Sequence, residues 1–155
     1  MTWQNAILIT PLTATERLVL EQISLGHDPD MGSAKLNMAR STFHRHSTQI
    51  GRKLHVTTPP VKVQMGFVSG QLPLPESVAA PASFDEKERL LWQAHALHSA
   101  AGDIATHAGI EQFDLEGDTA RLLKKAGAGN VAHLIRLGHA YGVLTCEVVP
   151  PPRAA

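Results

Sequence analysis

Residues 41–54, STFHRHSTQIGRKL, carry three cations, two histidines and a series of hydroxyl and amide side chains, with no acid among them. Wound as a helix, the segment places Phe43, Ser47, Ile50 and Leu54 at i, i+4, i+7 and i+11, on one face. His44, Arg45, Thr48 and Arg52 fall on the opposite face. The first face needs an apolar support; the second offers imidazole, guanidinium and hydroxyl groups, which suit anions. The surroundings point the same way. No Asp or Glu occurs between Asp30 and Glu76, a run of 45 residues that holds six Lys/Arg (Lys35, Arg40, Arg45, Arg52, Lys53, Lys62) and three His. Ordinary solvated faces mix both signs, so this one reads as facing an anion.

The whole chain hides that asymmetry. Its 155 residues hold 14 Lys/Arg and 14 Asp/Glu. Residues 1–77 have seven cations and five acids, and residues 78–155 have seven and nine. The single cysteine, Cys146, excludes an internal disulfide and suits a reducing compartment. No apolar run is long enough to span a bilayer, and the start MTWQNAILITP lacks a basic, then apolar, signal pattern. A cytoplasmic protein with no membrane partner is expected. Other chemistries find little support. His44 and His46 at i, i+2 point to different helix faces, and the His95 and His98 pair lies among alanines, so no metal or other cofactor is expected. Cys146 has no motif that would make it a nucleophile, and no enzyme activity or catalytic residue is expected.

Elements that position the basic segment can be read on either side of it. Thr13 with Glu16 forms a capping box before the amphipathic ATERLVLEQISL, and Gly26 stops that helix. A short element follows at 31–36, then the helix of 41–54. Pro59-Pro60 break the chain before a fourth helix over 61–68. QLPLPESVAAPAS (71–83) reads as a linker. Beyond it Asp85 and Glu88 repeat the capping-box spacing. Shifting the first half by 72 residues lays LTATERLVL over FDEKERLLW, Met38 over Ile110, Phe43 over Leu115, Ile50 over Leu122 and Lys53 over Lys125. The expectation is an all-α chain built as an internal repeat of two four-helix units, 11–70 and 84–145, each with a helix-turn-helix. The segment LTCEVVPPPRAA, which runs into the tail of 146–155, reads as a short strand followed by a frayed end, and the apolar residues 6–9 are ambiguous.

The first half resembles a LuxR/NarL-type helix-turn-helix DNA-binding domain over about residues 11–68. The match runs through Leu12-Thr13, Glu16-Arg17, Val19-Leu20, Gly26, Leu36, Thr42-Phe43, His46, Ile50, Lys53-Leu54 and Val56. The resemblance implies a sequence-specific transcriptional regulator of double-stranded DNA, with the helix around 40–54 in the major groove. It implies base contacts from His44, Arg45 and Thr48. Phosphate contacts would come from Arg40, Ser41, Thr42, Gln49, Arg52 and Lys53, and His46 would pack or touch the backbone.

The second half is similar in outline, but its equivalent of the groove helix, EQFDLEGDTARLLKK, opens with four acids (Glu111, Asp114, Glu116 and Asp118). Carboxylates repel phosphates. Arg121, Lys124 and Lys125 remain as secondary backbone contacts, and residues 84–144 read as a surface for a homodimer or a transcription-protein partner. The competing reading of the chain is a protein–protein adaptor of the transcription machinery that keeps the helix-turn-helix fold without specific DNA binding.

Overall fold

The computed structural model describes residues 10–150, and among them every regular element is helical. Eight α-helices follow in order: α1 Ala14–Ser24, α2 Pro29–Lys35, α3 Arg40–Leu54, α4 Pro59–Val68, α5 Glu86–Leu97, α6 Ala101–Ala108, α7 Leu115–Ala126 and α8 Val131–Ala140. A 3-10 turn, Gln112–Asp114, leads into α7. The 72-residue register holds at the level of element ends. Ala14 corresponds to Glu86, Pro29 to Ala101, Arg40 to Gln112 and Pro59 to Val131, each the first residue of its element.

Matching chemistry accounts for the matching ends. Both capping boxes close: Thr13 Oγ1 accepts from the Glu16 N–H while Glu16 Oε1 accepts from the Thr13 N–H, and Asp85 and Glu88 do the same. Each box glutamate also holds a lysine 37 residues on. Lys53 Nζ lies 2.6 Å from Glu16 Oε1, and Lys125 Nζ lies 2.8 Å from Glu88 Oε1. The first helix of each half is thereby clamped to the end of its third helix. Three left-handed positions also correspond, Asn37 (φ 55°) with Gly109 (φ 71°), His55 (φ 59°) with Gly127 (φ 76°) and Gly70 (φ 76°) with Gly142 (φ 75°).

The halves share one core rather than hanging on a linker. Val61, Val63, Met65, Phe67 and Val68 of α4 are buried together with Lys62, Gln64 and Gly66. The helix packs on α1, α3, α5 and α8, and α8 in turn packs on α1, α5 and α7. Close approach is built on two corresponding glycines. A Cβ at Gly66 would lie 2.7 Å from Leu20 Cδ2, and one at Gly138 would lie 2.6 Å from both Leu144 Cδ1 and Trp92 Nε1. After each of these helices the chain folds back, so that the Leu72 N–H donates to Gly66 O and the Leu144 N–H to Gly138 O, both at 2.9 Å. Residues 73–80 are irregular and mostly exposed, but the Val78 N–H donates to Ala140 O at 2.9 Å, so this connection lies against α8.

Several local expectations are corrected. The Pro59-Pro60 pair does not precede the fourth helix but forms its first turn, where the missing N–H groups cost nothing. The second element spans Pro29–Lys35, with Asp28 Oδ1 capping the Met31 N–H. The closing helix, which the sequence places over 131–144, ends at Ala140, and Gly142 takes a left-handed φ of 75° just beyond it. No strand forms over the described part of the tail. Its backbone has no strand edge to join; instead the carbonyls of Thr145 and Val148 accept from Gln64 Nε2 at 3.1 and 2.5 Å. Residues 6–9 lie outside the described residues.

Three outcomes are expected. Gly138→Ala lowers stability by about 1–3 kcal/mol in denaturant unfolding. Gly66→Ala costs less, because its clash is with the ends of flexible leucines, whereas Trp92 Nε1 is held at 2.8 Å on Leu134 O. Glu16→Gln loses about 1–2 kcal/mol through the charged bond to Lys53, since a glutamine at this position still accepts from the Thr13 N–H. Burial raises the Glu16 pKa, but the bonds from Lys53 and Thr13 outweigh it and leave the net value below the ordinary one. A depressed carboxyl stabilises above its unfolded pKa and is lost as pH falls through the folded one, so the wild-type acid limb is steeper than that of Glu16→Gln. Burial also depresses His95 and His139 to about 4. Their unfolded forms bind protons first, so stability drops as pH falls from 6.5 toward 4. Exchange for the corresponding residues, His95→Ile and His139→Phe, flattens that stretch of the stability–pH curve.

Candidate nucleic-acid interface

The helix α3 divides as its spacing requires. Phe43, Ile50 and Leu54 are buried, and Ser47 is half-buried, against α1, α2 and α4. His44, Arg45, Thr48 and Arg52 are exposed, as are Arg40 and Ser41, while Thr42, His46, Gln49 and Lys53 are half-buried. The outward face therefore gathers most of the residues singled out from the sequence, and no carboxylate stands among them within the helix.

Their partners distinguish them. Arg45 and Arg52 enter no ion pair among the described residues. Arg40 Nε sits 3.3 Å from Asp30 Oδ1 in an exposed pair that water screens. Lys53 is committed to Glu16, a carboxylate whose side chain is only 6% exposed, so it serves first to fix the end of α3. Thr48 Oγ1 donates back to His44 O at 3.1 Å, which leaves the hydroxyl oxygen as an acceptor. At the start of α3, Ala39 stands at the N-cap without a side-chain hydrogen bond; neither Ser41 nor Asn37 replaces it. The first N–H groups of the helix thus have no side-chain acceptor, and they carry the positive end of the helix dipole.

One residue behind this face escaped the reading by pattern. Lys62, counted as one more cation of the acid-free run, is buried under α3, where its Nζ donates to Ser47 Oγ at 3.1 Å. Burial lowers its pKa. Its counterpart in the second half is Leu134, fully buried, and the apolar frame VKVQMGFV around Lys62 was the available signal. Beside Ser47 a cleft of about 240 Å³ opens between α1, α3 and the starts of α4 and α8, lined by Ile23, His27, Phe43, His44 and Pro59. In the second half the corresponding space is bridged by His95 Nε2 and Thr119 Oγ1, 2.9 Å apart.

The face of α7 that corresponds to this one has a different chemistry. Thr42 is matched by Asp114, His44 by Glu116, Arg45 by Gly117 and Thr48 by Ala120. Ser41 is matched by Phe113, which is 95% exposed. Of the secondary cations, Arg121 is paired with Asp118, Lys125 with Glu88, and Lys124 is exposed without an ion pair among the described residues. No group of three or more His, Cys, Asp or Glu among the described residues is arranged to hold a metal ion. His98 and His107 meet as a pair, Nε2 to Nδ1 at 3.3 Å. Cys146 is half-buried with Sγ against Phe67 O, and burial raises its pKa. No helix among the described residues is long and apolar enough to cross a membrane. No family model, curated protein or solved structure matches the chain.

Proposed function

We propose that the chain is a sequence-specific, double-stranded-DNA-binding transcriptional regulator of the cytoplasm that inserts α3 into the major groove. The observation that carries this reading is the division of α3 into a buried apolar face and an exposed face of His44, Arg45, Thr48 and Arg52 without a single acid. An α-helix fits the major groove in width, and a guanidinium or imidazole on its outer side reaches the acceptor edges of guanine. In this reading α2 and α3 are the helix-turn-helix of a LuxR-like domain, and α6 and α7 its altered copy. Arg45, His44 and Thr48 meet base edges. Arg52, Arg40, Gln49 and the uncapped N–H groups of the first turn meet phosphates. Lys53 supports the helix from behind through Glu16 more than it touches DNA.

The competing adaptor reading draws on one observation, the exposed Phe113 beside Glu116 on α7. It needs no DNA contact at all. Fluorescence anisotropy with selected and random duplexes across a salt series separates the two. Arg45→Ala is expected to lose about 1–3 kcal/mol on the selected duplex and little on random DNA. Arg52→Ala is expected to weaken both alike and to flatten the salt slope by about one unit. Absence of binding at low salt by the full chain would leave the adaptor.

A further inference from the structure

We propose that the chain is a dimer folded into one polypeptide, and that it engages DNA as a single molecule on a single half-site, not as a pair of chains on an inverted repeat. The second part rests on the DNA reading of α3; the first part does not.

Contacts between the two halves have the signature of a two-fold interface, in which residue i meets j while the counterpart of j meets the counterpart of i. The fourth helix of each half packs on the first helix of the other, α4 on α5 and α8 on α1. The residue before each fourth helix reaches the loop after the first helix of the opposite half. Asn130 Nδ2 donates to Gly26 O at 3.1 Å, and Thr58 Oγ1 meets Ser99 Oγ at 3.0 Å. The segments that follow the fourth helices also exchange. Val78 bonds to Ala140 of α8, and the tail after Leu144 covers α4 at Gln64 and Phe67. On a two-fold axis a residue meets its own counterpart, and Phe67 does: its ring lies 4.7 Å from that of His139, 72 positions on. The apolar face that α4 would offer to a second copy is therefore already filled by α8.

The same axis relates α3 to α7, but their outer faces are opposed in charge. Where a symmetric dimer would present a second His44, Arg45 and Thr48, this chain presents Glu116, Gly117 and Ala120, with Asp114 beside them. A second half-site would meet carboxylates, and like charge against phosphate lowers affinity.

Sedimentation of the full chain, free and on short duplexes, tests this. The duplexes carry the half-site selected from a randomised pool, either once or as an inverted repeat with centres about one helical turn apart. The expected results are a free mass of one chain, one chain on the single site, and at most about a twofold gain on the inverted repeat from the doubled number of sites. A stable free dimer, or two chains bound cooperatively to the inverted repeat, would overturn the proposal. A second variant works in the direction of gain. The substitutions D114T, E116H, G117R and A120T give α7 the outer face of α3. With helix content unchanged by circular dichroism, this variant is expected to prefer the inverted repeat over the single site by about tenfold or more while still binding as one chain. No preference would overturn the two-fold relation of α3 and α7. If no duplex is bound at low salt, the DNA reading fails; the free mass then decides the internal dimer, one chain upholding it and two overturning it.

Discussion

The close contact of α4 with α8 is the constraint on which the remaining structure depends. Each of these two helices is also seated closely on the first helix of its own half, where a side chain is missing: Gly66 of α4 admits Leu20 of α1, and Gly138 of α8 admits Trp92 of α5. Leu20 and Leu72 fill the space beside one glycine, and Trp92 and Leu144 fill it beside the other. Each half on its own would leave much of an apolar helix bare. Joined, they enclose a continuous core in which no described buried side-chain polar atom lacks a partner. The polar groups that enter this core are placed in pairs: Gln64 Oε1 with His139 Nε2 at 2.7 Å, and Arg136 Nη1 with Ser24 Oγ at 2.8 Å.

This frame holds α3 from three sides. Phe43 and Ile50 anchor it in the core, the Glu16–Lys53 clamp ties down its end, and Ser47 rests on the ammonium of Lys62. A helix fixed in this way presents its outer residues at a set angle, which is what recognition of a rigid duplex demands. Arg45 and Arg52 remain free of ion pairs among the described residues, because the acids nearest in sequence are spent elsewhere, Asp28 on the cap of α2 and Asp30 on Arg40.

Much of this was legible in the residues because it is local. Capping boxes are four-residue patterns, the faces of α3 follow from helical period alone, and the 72-residue register needs only comparison of the chain with itself. What escaped depends on contacts far apart in sequence. Gln64 carried no signal of its own within the fourth helix, and only the tail crossing it, more than 80 residues away, shows what it binds. The tail itself has strand-like composition, but a strand needs an edge and none is offered. Lys62 was counted with the basic run that reads as facing an anion, although its neighbours Val61 and Val63 already marked the position as interior. The stretch 71–83 has the composition of a free linker, and a single backbone bond from Val78 ties it down.

Fusion of two related units also changes what charge can do. In a pair of identical chains, every charge on one face is repeated on the other, and a two-fold arrangement cancels any field component perpendicular to the axis. Here α3 is cationic and α7 opens with carboxylates, so no such cancellation occurs although the formal net charge is +0. Residues 1–77 carry seven cations against five acids and residues 78–155 seven against nine, so charge is separated between the halves as a dipole with its positive end in the half that holds α3. Near a polyanion such a dipole feels a torque before contact, and it arrives with the basic helix leading. Because its pI is about 7.1, it does so without long-range attraction of the whole body. Its capture radius is then set by orientation rather than by monopole charge, and added salt acts first on that turning force.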